Sequence, residues 1–140
     1  MASNCVSDVM SINPLAFPSD ATVREAAEEM RLGSIGDVLV EEDGEIRGIV
    51  TDRDIVIRCI AGGGDPDTLT LGSICSRDIA TLSPSDGVDA AIELMKVRGV
   101  RRIPVVEEGV PVGILSLGDL AVDQEPRSAL GSISAAAPNR

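Results

Sequence analysis

The chain carries the same pattern twice, and this internal repeat constrains its possible folds more than any other feature. Residues 48–55 read GIVTDRDI, and residues 113–120 read GILSLGDL. Placing Gly48 on Gly113 superimposes the two stretches without a gap. The same shift aligns further identities: Val23 with Val88, Ala26 with Ala91, Glu28 with Glu93, Met30 with Met95, Val40 with Val105, Glu42 with Glu107 and Gly44 with Gly109. Such a repeat predicts two copies of one supersecondary unit.

Each half of the repeat predicts a strand, a helix, two strands and a second helix. In the first half, a strand over 15–17 precedes a helix whose apolar positions follow the i, i+3, i+4, i+7 rule: Val23, Ala26, Ala27 and Met30. An Asp-Gly turn joins strands over 37–40 and 46–51, and a second helix covers about 52–61. The second half repeats this order, with strands over 80–82, 102–106 and 111–116, a helix containing Val88, Ala91, Ile92 and Met95, and a short helix from about 117.

The size of one half bears on how the halves are organised. At about 60 residues, a single half is marginal for burying a stable core. We therefore predict an α/β (α+β) fold in which two β-α-β-β-α repeats pack as one pseudo-two-fold module. The predicted boundaries are 5–61 for the first repeat, 62–70 for a linker and 71–123 for the second repeat. Residues 124–140 are small and polar without a clear period, which predicts a flexible C-terminal tail.

The composition excludes several classes of partner. A net charge of −11 disfavours nucleic-acid polymers and anionic membrane surfaces. With one Phe and no Trp or Tyr, the chain lacks the side chains that stack on single-stranded bases. Three cysteines without any histidine do not indicate a zinc site. Neither a basic, apolar leader nor a run of ~18 apolar residues is found, so we predict a cytoplasmic protein that does not span a membrane.

The repeated motif allows two interpretations of its hydroxyl and its carboxylate. Thr51 and Asp54 lie where a strand meets a helix, and Ser116 and Asp119 do the same. This spacing is close to a capping box, in which both side chains satisfy N–H groups at the start of a helix. The same place also suits a ligand, because a helix N-terminus attracts phosphate and a carboxylate accepts hydrogen bonds from both hydroxyls of a ribose. The sequence leaves both interpretations open.

The ligand that fits such a motif has a diol, an anion and a flat apolar part, which describes an adenine nucleotide or a related adenosyl compound. Gly48 and Gly113 would leave room for its close approach to the backbone. In an acidic protein, its phosphate requires local positive charge, for which the candidates are Arg53, Arg98, Arg101 and Arg102. Two of these, Arg98 and Arg101, could instead flank a helix C-terminus or form surface ion pairs.

The two halves differ in charge beside the motif. Arg101 and Arg102 in the second half align with Gly36 and Asp37 in the first. An aspartate facing a ligand would repel its phosphate, so we expect unequal occupancy, with the second motif more important than the first.

A β-α-β-β-α repeat of this size whose last strand ends in G-h-h-S/T-x-x-D, where h is apolar, resembles the cystathionine β-synthase (CBS) domain. Two such repeats in tandem resemble a CBS pair, or Bateman module, and the resemblance covers about residues 5–123. The stretches GIVTDRDIVIRCIAGGGDP and VRRIPVV are also similar to small stand-alone two-CBS proteins of actinobacteria, including hypoxic-response proteins.

The resemblance implies where a ligand would bind. In CBS pairs, the clefts between the repeats commonly hold adenosyl compounds, with the motif aspartate on the ribose. The candidates here are AMP, ADP, ATP, S-adenosylmethionine and NAD-like molecules. The base would lie between aliphatic residues at the start and in the middle strand of each repeat: Ile12, Leu15, Val38 and Leu39 for the first, and Ile79, Ala80, Ile103 and Pro104 for the second. Because each cleft would lie between repeats, the arginines of the second repeat could face the other cleft, and Asp54 would then matter more.

Three hypotheses about function follow. The first is a regulatory module that binds an adenosyl ligand, requires no cofactor, forms a homodimer and signals to an unidentified regulated protein. The second is a ligand-free dimeric interaction scaffold whose motif only caps helices. The third is a nucleotide-hydrolysing enzyme, which we disfavour because the chain has no histidine base, no Cys–His pair and no Walker-type loop.

Overall fold

The structure is a computed structural model, and it describes residues 4–136. In chain order its elements are a 3₁₀ turn (Val6–Asp8), β1 (Ser11–Ile12), β2 (Ala16–Pro18), α1 (Val23–Gly33), β3 (Asp37–Glu42), β4 (Glu45–Thr51), α2 (Asp52–Asp54) with a π-helical continuation (Ile55–Ile60), α3 (Leu71–Ile74), α4 (Val88–Arg98), β5 (Arg102–Glu107), β6 (Val110–Ser116), α5 (Leu117–Gln124) and α6 (Ala129–Ala135). This mixture of helices and strands confirms the predicted α+β fold.

The chain forms two compact units. The first unit is Leu15–Ile79, and the second unit combines the described residues up to Pro14 with those from Ala80 onward. In the first unit, β3 lies between β2 and β4, parallel to β2 and antiparallel to β4. In the second unit, β6 lies between β1 and β5 and is antiparallel to both. The strand predicted over 80–82 is reduced to one parallel bridge, between Leu82 and Val105.

Helices α1 and α4 supply equivalent apolar faces to the two cores. Thr22 begins α1 with a capping box, because its hydroxyl accepts the Glu25 N–H (3.2 Å) and the Glu25 carboxylate accepts the Thr22 N–H (3.2 Å). Both helices end where a residue adopts the left-handed conformation, at Ser34 and Gly99. The buried helical residues are Val23, Ala26 and Met30 in α1 and Val88, Ala91 and Met95 in α4, as the periodicity predicts.

Each unit includes a short segment that, in sequence, belongs to the start of the repeat that forms most of the other unit. In the second unit, Ser11 of β1 lies opposite Ile114 of β6. In the first unit, Ser76 lies opposite Ile49 of β4 in an isolated antiparallel bridge. The shift that places Gly48 on Gly113 also places Ser11 on Ser76 and Ile49 on Ile114, so the two segments occupy equivalent positions.

These segments fill the space beside the two motif glycines. A Cβ on Gly113 would lie 2.8 Å from the Ser11 carbonyl oxygen, and a Cβ on Gly48 would lie 2.8 Å from that of Ser76. The sequence-based interpretation, in which these glycines admit a ligand, is therefore wrong on this side of the strands. The glycines instead allow another part of the same chain to approach β4 and β6 closely.

Part of the segment predicted to be a flexible tail is helical. The Ser128 hydroxyl accepts the Gly131 N–H (3.0 Å) and begins α6 over Ala129–Ala135. Gly131 is buried where α6 packs along α5. The prediction over 124–140 failed because an alanine-rich, well-capped segment is stabilised by packing that has no signature in its own periodicity. Residues 137–140 lie outside the described residues. Within the part of the chain that is described, no helix is long and apolar enough to cross a membrane.

Candidate functional site

The two repeated motifs form capping boxes at equivalent places, which we call the first box (residues 51–54) and the second box (residues 116–119). The Thr51 hydroxyl accepts the Asp54 N–H (3.1 Å), and Asp54 Oδ2 accepts the Thr51 N–H (2.9 Å). In the second box, the Ser116 hydroxyl accepts the Asp119 N–H (3.0 Å), and Asp119 Oδ2 accepts the Ser116 N–H (3.0 Å). The capping interpretation of the motif is therefore correct for both copies.

Capping does not use the full binding capacity of either carboxylate. An ionised carboxylate has about four lone-pair sites, and each box occupies one of them on Oδ2. Asp54 and Asp119 both remain partly exposed. A ribose hydroxyl could therefore bind Oδ1 while the cap stays intact, so the two interpretations of the motif are compatible.

The second box faces a side-chain hydroxyl on β1. The Ser11 hydroxyl of β1 lies 3.2 Å from Asp119 Oδ1 and 3.3 Å from Oδ2, and it donates to this carboxylate. A neutral hydroxyl in this position is chemically similar to one hydroxyl of a sugar diol. The site thus shows that Asp119 can accept an O–H donor beyond its capping bond.

The first box faces a cation instead. Arg58 Nε lies 3.8 Å from Asp54 Oδ1, and Arg58 Nη1 donates to the carbonyl oxygen of Ile74 (2.8 Å). The residue that the repeat aligns with Arg58 in the second unit is Asp123. The carboxylate of the first box is therefore already paired with a guanidinium that α3 holds in place.

The boxes also differ in the second amide of the helix. In the first box, the Arg53 N–H donates to Asp52 Oδ1 (2.8 Å), which places a further carboxylate at this helix start. The equivalent amide in the second box belongs to Gly118, and no acceptor for it occurs within residues 4–136. An unsatisfied N–H at a helix N-terminus is the group that binds anions.

The neighbouring strand adds to this difference in charge. Asp37 of β3 lies directly opposite Thr51, whereas Arg102 of β5 lies directly opposite Ser116. Directly paired residues on adjacent antiparallel strands have Cβ atoms about 4.5–5.5 Å apart and extend on the same face of the sheet. Arg102 is therefore beside the box of its own repeat, at the position where the first repeat has the acidic Asp37.

The other predicted arginines differ in position, and Arg53 is itself a residue of the first box. Arg53 and Arg101 are exposed, and the Arg101 carbonyl oxygen accepts the Leu117 N–H at the start of α5 (2.8 Å). Arg98 is the last residue of α4. Among the four cations proposed for phosphate, only Arg102 is in direct register with a box.

The aliphatic residues predicted around the base fall into three groups. Val38 and Ile103 belong to the cores of their units, with 0% and 1% exposure, so their side chains contact protein. Leu39 and Pro104 are also fully buried. The remaining four retain accessible surface, with Ile12 at 69% exposure and the others partly exposed: Leu15, Ile79 and Ala80.

Sequence reasoning missed four residues at the boxes. Arg58 could have been found, because it follows Asp54 by four residues on a predicted helix and such pairs are adjacent. Asp52 and Gly118 also lie within the printed motifs, but their roles depend on individual amide contacts. No sequence signal identifies Ser11, because it reaches Asp119 across 108 residues.

The cysteines do not form a reactive cluster with these residues. Cys59 and Cys75 are buried in the core of the first unit, and Cys5 is partly exposed. Burial raises the pKa of the Cys75 thiol, which favours its neutral form at physiological pH. Among residues 4–136, no group of three or more His, Cys, Asp or Glu side chains is arranged to hold a metal ion.

The tandem α+β units and their repeated strand-to-helix boxes define a CBS pair, and comparison with known proteins agrees. The sequence matches the CBS domain over residues 6–60 and 71–122, so the chain belongs to the CBS domain family and is a CBS-pair regulatory module.

Three relatives illustrate this membership. The CBS domain-containing protein YhcV of Bacillus subtilis (strain 168) is 35% identical over 127 residues, which cover 91% of this chain and 90% of YhcV. A crystal structure of Hypoxic Response Protein I with two coordinated zinc ions has 32% identity and a TM-score of 0.74, covering 85% of this chain and 98% of that chain. The hexameric CBS-CP12 protein from bloom-forming cyanobacteria has 27% identity and a TM-score of 0.77, covering 87% of this chain and 72% of that chain. The predicted resemblance to a CBS pair and to hypoxic-response proteins is thus confirmed.

Proposed function

We propose that this CBS pair binds an adenine nucleotide or another adenosyl ligand, with the second box as the principal site, and signals its occupancy to a partner protein. The observation that carries the proposal is the open amide of Gly118 next to an accepting carboxylate, Asp119, in a box that has a cation, Arg102, at the strand position opposite Ser116. These three groups match the anion and the diol of a nucleotide, in an arrangement that the first box lacks.

Each group would have a distinct role in binding. Asp119 Oδ1 would accept a ribose hydroxyl in place of the Ser11 hydroxyl, while Oδ2 keeps its capping bond to the Ser116 N–H. The Gly118 N–H would donate to a phosphate oxygen at the start of α5, where the helix dipole also favours negative charge. Arg102 would supply the positive charge that offsets a net protein charge of −11. The base would contact accessible aliphatic surface, to which Ala80 contributes within the same unit.

The test is a thermal-shift screen with AMP, ADP, ATP, S-adenosylmethionine and adenosine, followed by calorimetric titration of any compound that raises Tm. A compound present at 100 times its Kd stabilises the folded protein by about 2.7 kcal/mol. GMP is the matched control for the base. An external dye must report unfolding, because the chain contains no Trp. If no adenosyl compound shifts Tm at millimolar concentration, the proposal is rejected.

A ligand-free scaffold is the second candidate function, and one observation favours it. Both motif aspartates are occupied in capping boxes, so the repeated motif has a structural reason to exist without any ligand. The same screen decides between the candidates, because the scaffold predicts no response to any nucleotide. We further propose that the protein is not an enzyme and requires no cofactor, and incubation with ATP should release no inorganic phosphate.

We also propose a homodimer. Among the apolar residues of α1 and α4, Val23 and Val88 are core residues, and Ala27 and Ile92 retain partial exposure that an interface could cover. A larger exposed apolar surface lies on the π-helical segment, at Val56 (56%), Ile57 (51%) and Ile60 (58%). A second copy of the chain would cover this surface in a symmetric contact. The hexameric CBS-CP12 protein shows that a similar fold can self-associate.

Sedimentation equilibrium at micromolar concentration should therefore give about twice the chain mass of 14.5 kDa. Ile57→Asp should shift the protein towards the monomer, because it introduces an unpaired charge into the buried contact. Leu32→Asp is the matched control, since Leu32 is also exposed (67%) but lies on α1. A wild-type mass near 14.5 kDa would contradict the dimer.

A further inference from the structure

The C-terminal helix α6 packs closely along α5. A Cβ on Gly131 would lie 2.9 Å from the Ala121 carbonyl oxygen and even closer to that of Glu125, so only glycine permits this approach. The Ser132 N–H donates to the Ser128 carbonyl oxygen (2.9 Å), so the backbone stays helical across Gly131. Helix α6 is therefore held against the backbone of α5 and is not an independent tail.

This packing brings the other end of α6 to the second box. A Cβ on Gly118 would lie 3.1 Å from Ser134 Oγ and 3.7 Å from Ser116 Oγ. The Ser134 hydroxyl is thus next to the first turn of α5, where the open Gly118 amide is located. A side chain at residue 118 would crowd Ser134, which is a packing reason for glycine at this position.

The position of Ser134 leaves the second box accessible. Ser134 is exposed, and its hydroxyl has no hydrogen-bond partner in the described part of the chain. Ser116 and Asp119 also keep partial exposure with α6 in place. Helix α6 therefore forms a wall beside the second box and does not cover it.

We propose that Ser134 is a ligand-binding residue of the second box, whose hydroxyl donates to the phosphate held by the Gly118 N–H and Arg102. This inference rests on the proposed nucleotide function of the second box. It adds a residue from outside the two repeats and makes α6 part of the site. The first box has no equivalent, because residues 62–70, which follow the first repeat, contain no helix.

The contact would couple ligand binding to the docking of α6. If the phosphate is bound by Ser134 only when α6 is docked, the ligand stabilises docking and docking strengthens ligand binding by the same factor. Occupancy of the second box would then change the protection of α6 backbone amides, which a partner protein could detect as an ordered or loosened surface.

The test compares AMP affinity in the wild type, Ser134→Ala and Ser132→Ala by calorimetric titration. Loss of a hydrogen bond to a charged phosphate should raise the Kd of Ser134→Ala about tenfold or more. Ser132→Ala is the matched control on α6, because the Ser132 hydroxyl donates to the Pro126 carbonyl oxygen (3.3 Å), away from the box. Gly131→Ala, which displaces α6, should produce a loss at least as large as that of Ser134→Ala. Urea unfolding of each variant verifies that it folds.

The outcomes separate this inference from the proposed function. If wild-type protein binds AMP and Ser134→Ala binds it equally well, only the role of Ser134 is overturned. Tighter binding by Ser134→Ala and Gly131→Ala would also overturn it, because α6 would then obstruct the box. An equal loss for adenosine would rule out the phosphate as the group that Ser134 binds. If the wild type binds none of the adenosyl compounds, the proposed function fails and this inference fails with it, whereas binding of only phosphate-free compounds would overturn this inference alone.

Discussion

Asp119→Ala should weaken AMP binding by about tenfold or more, whereas Asp54→Ala should weaken it by less than about threefold. A hydrogen bond that involves a charged group is worth about 1.5–3 kcal/mol, and every 1.4 kcal/mol changes Kd tenfold. Asp119 already accepts an O–H donor, Ser11, and has Arg102 close to its box. Asp54 faces Arg58, but its box also contains Asp52 and lies opposite Asp37 of β3, so a nucleotide would meet unfavourable negative charge there.

The same two variants also measure the capping role. Each loses a carboxylate that accepts an N–H at a helix start, so each should lower the free energy of unfolding by about 0.5–2 kcal/mol. Asp119→Asn is the matched control, because its amide oxygen can still accept the Ser116 N–H while the negative charge is gone. Calorimetric titration with AMP and ATP, beside urea unfolding, separates the two effects.

Three results would change the assignment of ribose binding to Asp119 in different ways. Equal nucleotide affinity in wild type, Asp119→Ala and Asp54→Ala would remove ribose binding from both boxes and leave only capping. A larger loss in Asp54→Ala would reverse the proposed order of the boxes and would indicate that Arg58 assists binding. A fall in stability of both variants, together with no nucleotide binding by the wild type, would support the scaffold function.

Local sequence patterns predicted most of the fold because they reflect local physics. The spacing of Val23, Ala26 and Met30 identifies the buried face of α1 from its helical period alone. The Asp-Gly turn between β3 and β4 is likewise a local signal, and Gly44 adopts the positive φ (78°) that such a turn requires. Because the internal repeat aligns the two halves without a gap, the same assignments then applied to the second half.

Contacts between distant segments could not be predicted in the same way. The short β1 strand pairs with β6, which lies near the other end of the chain, and nothing in the sequence SI indicates its partner. The placement of α6 depends on whether Gly131 can contact α5, which requires the positions of both backbones. For the boxes, the residue types at the motif were predictable. The charge difference between Arg102 and Asp37 was also predictable, because the repeat aligns these two positions. The contacts of Ser11 and Ser134 required the structure.

Gly113→Ala should lower the free energy of unfolding by about 1–3 kcal/mol, although replacing a strand glycine with alanine ordinarily increases stability. The reason is that Met10 and the β1 backbone pack closely against Gly113. A new Cβ would lie 2.5 Å from Met10 Sδ and 2.8 Å from the Ser11 carbonyl oxygen, so either the side chain or the β1 backbone must move. Movement of Ser11 would also disturb its hydrogen bond to Asp119, so AMP affinity should fall together with stability.

Gly33→Ala is the matched control for this change. Its new Cβ would lie 3.7 Å from Ile35, an ordinary van der Waals contact, so its stability should stay the same or rise slightly. Combining Gly113→Ala with Met10→Ala should recover part of the loss relative to the sum of the single changes, because the sulfur clash is removed while the Ser11 carbonyl clash remains. Urea unfolding of Gly33→Ala, Gly113→Ala, Met10→Ala and the double variant measures these changes in the free energy of unfolding. Wild-type stability in Gly113→Ala would show that the β1 segment does not pack against β6, and the position of Ser11 beside Asp119 would have to be abandoned with it.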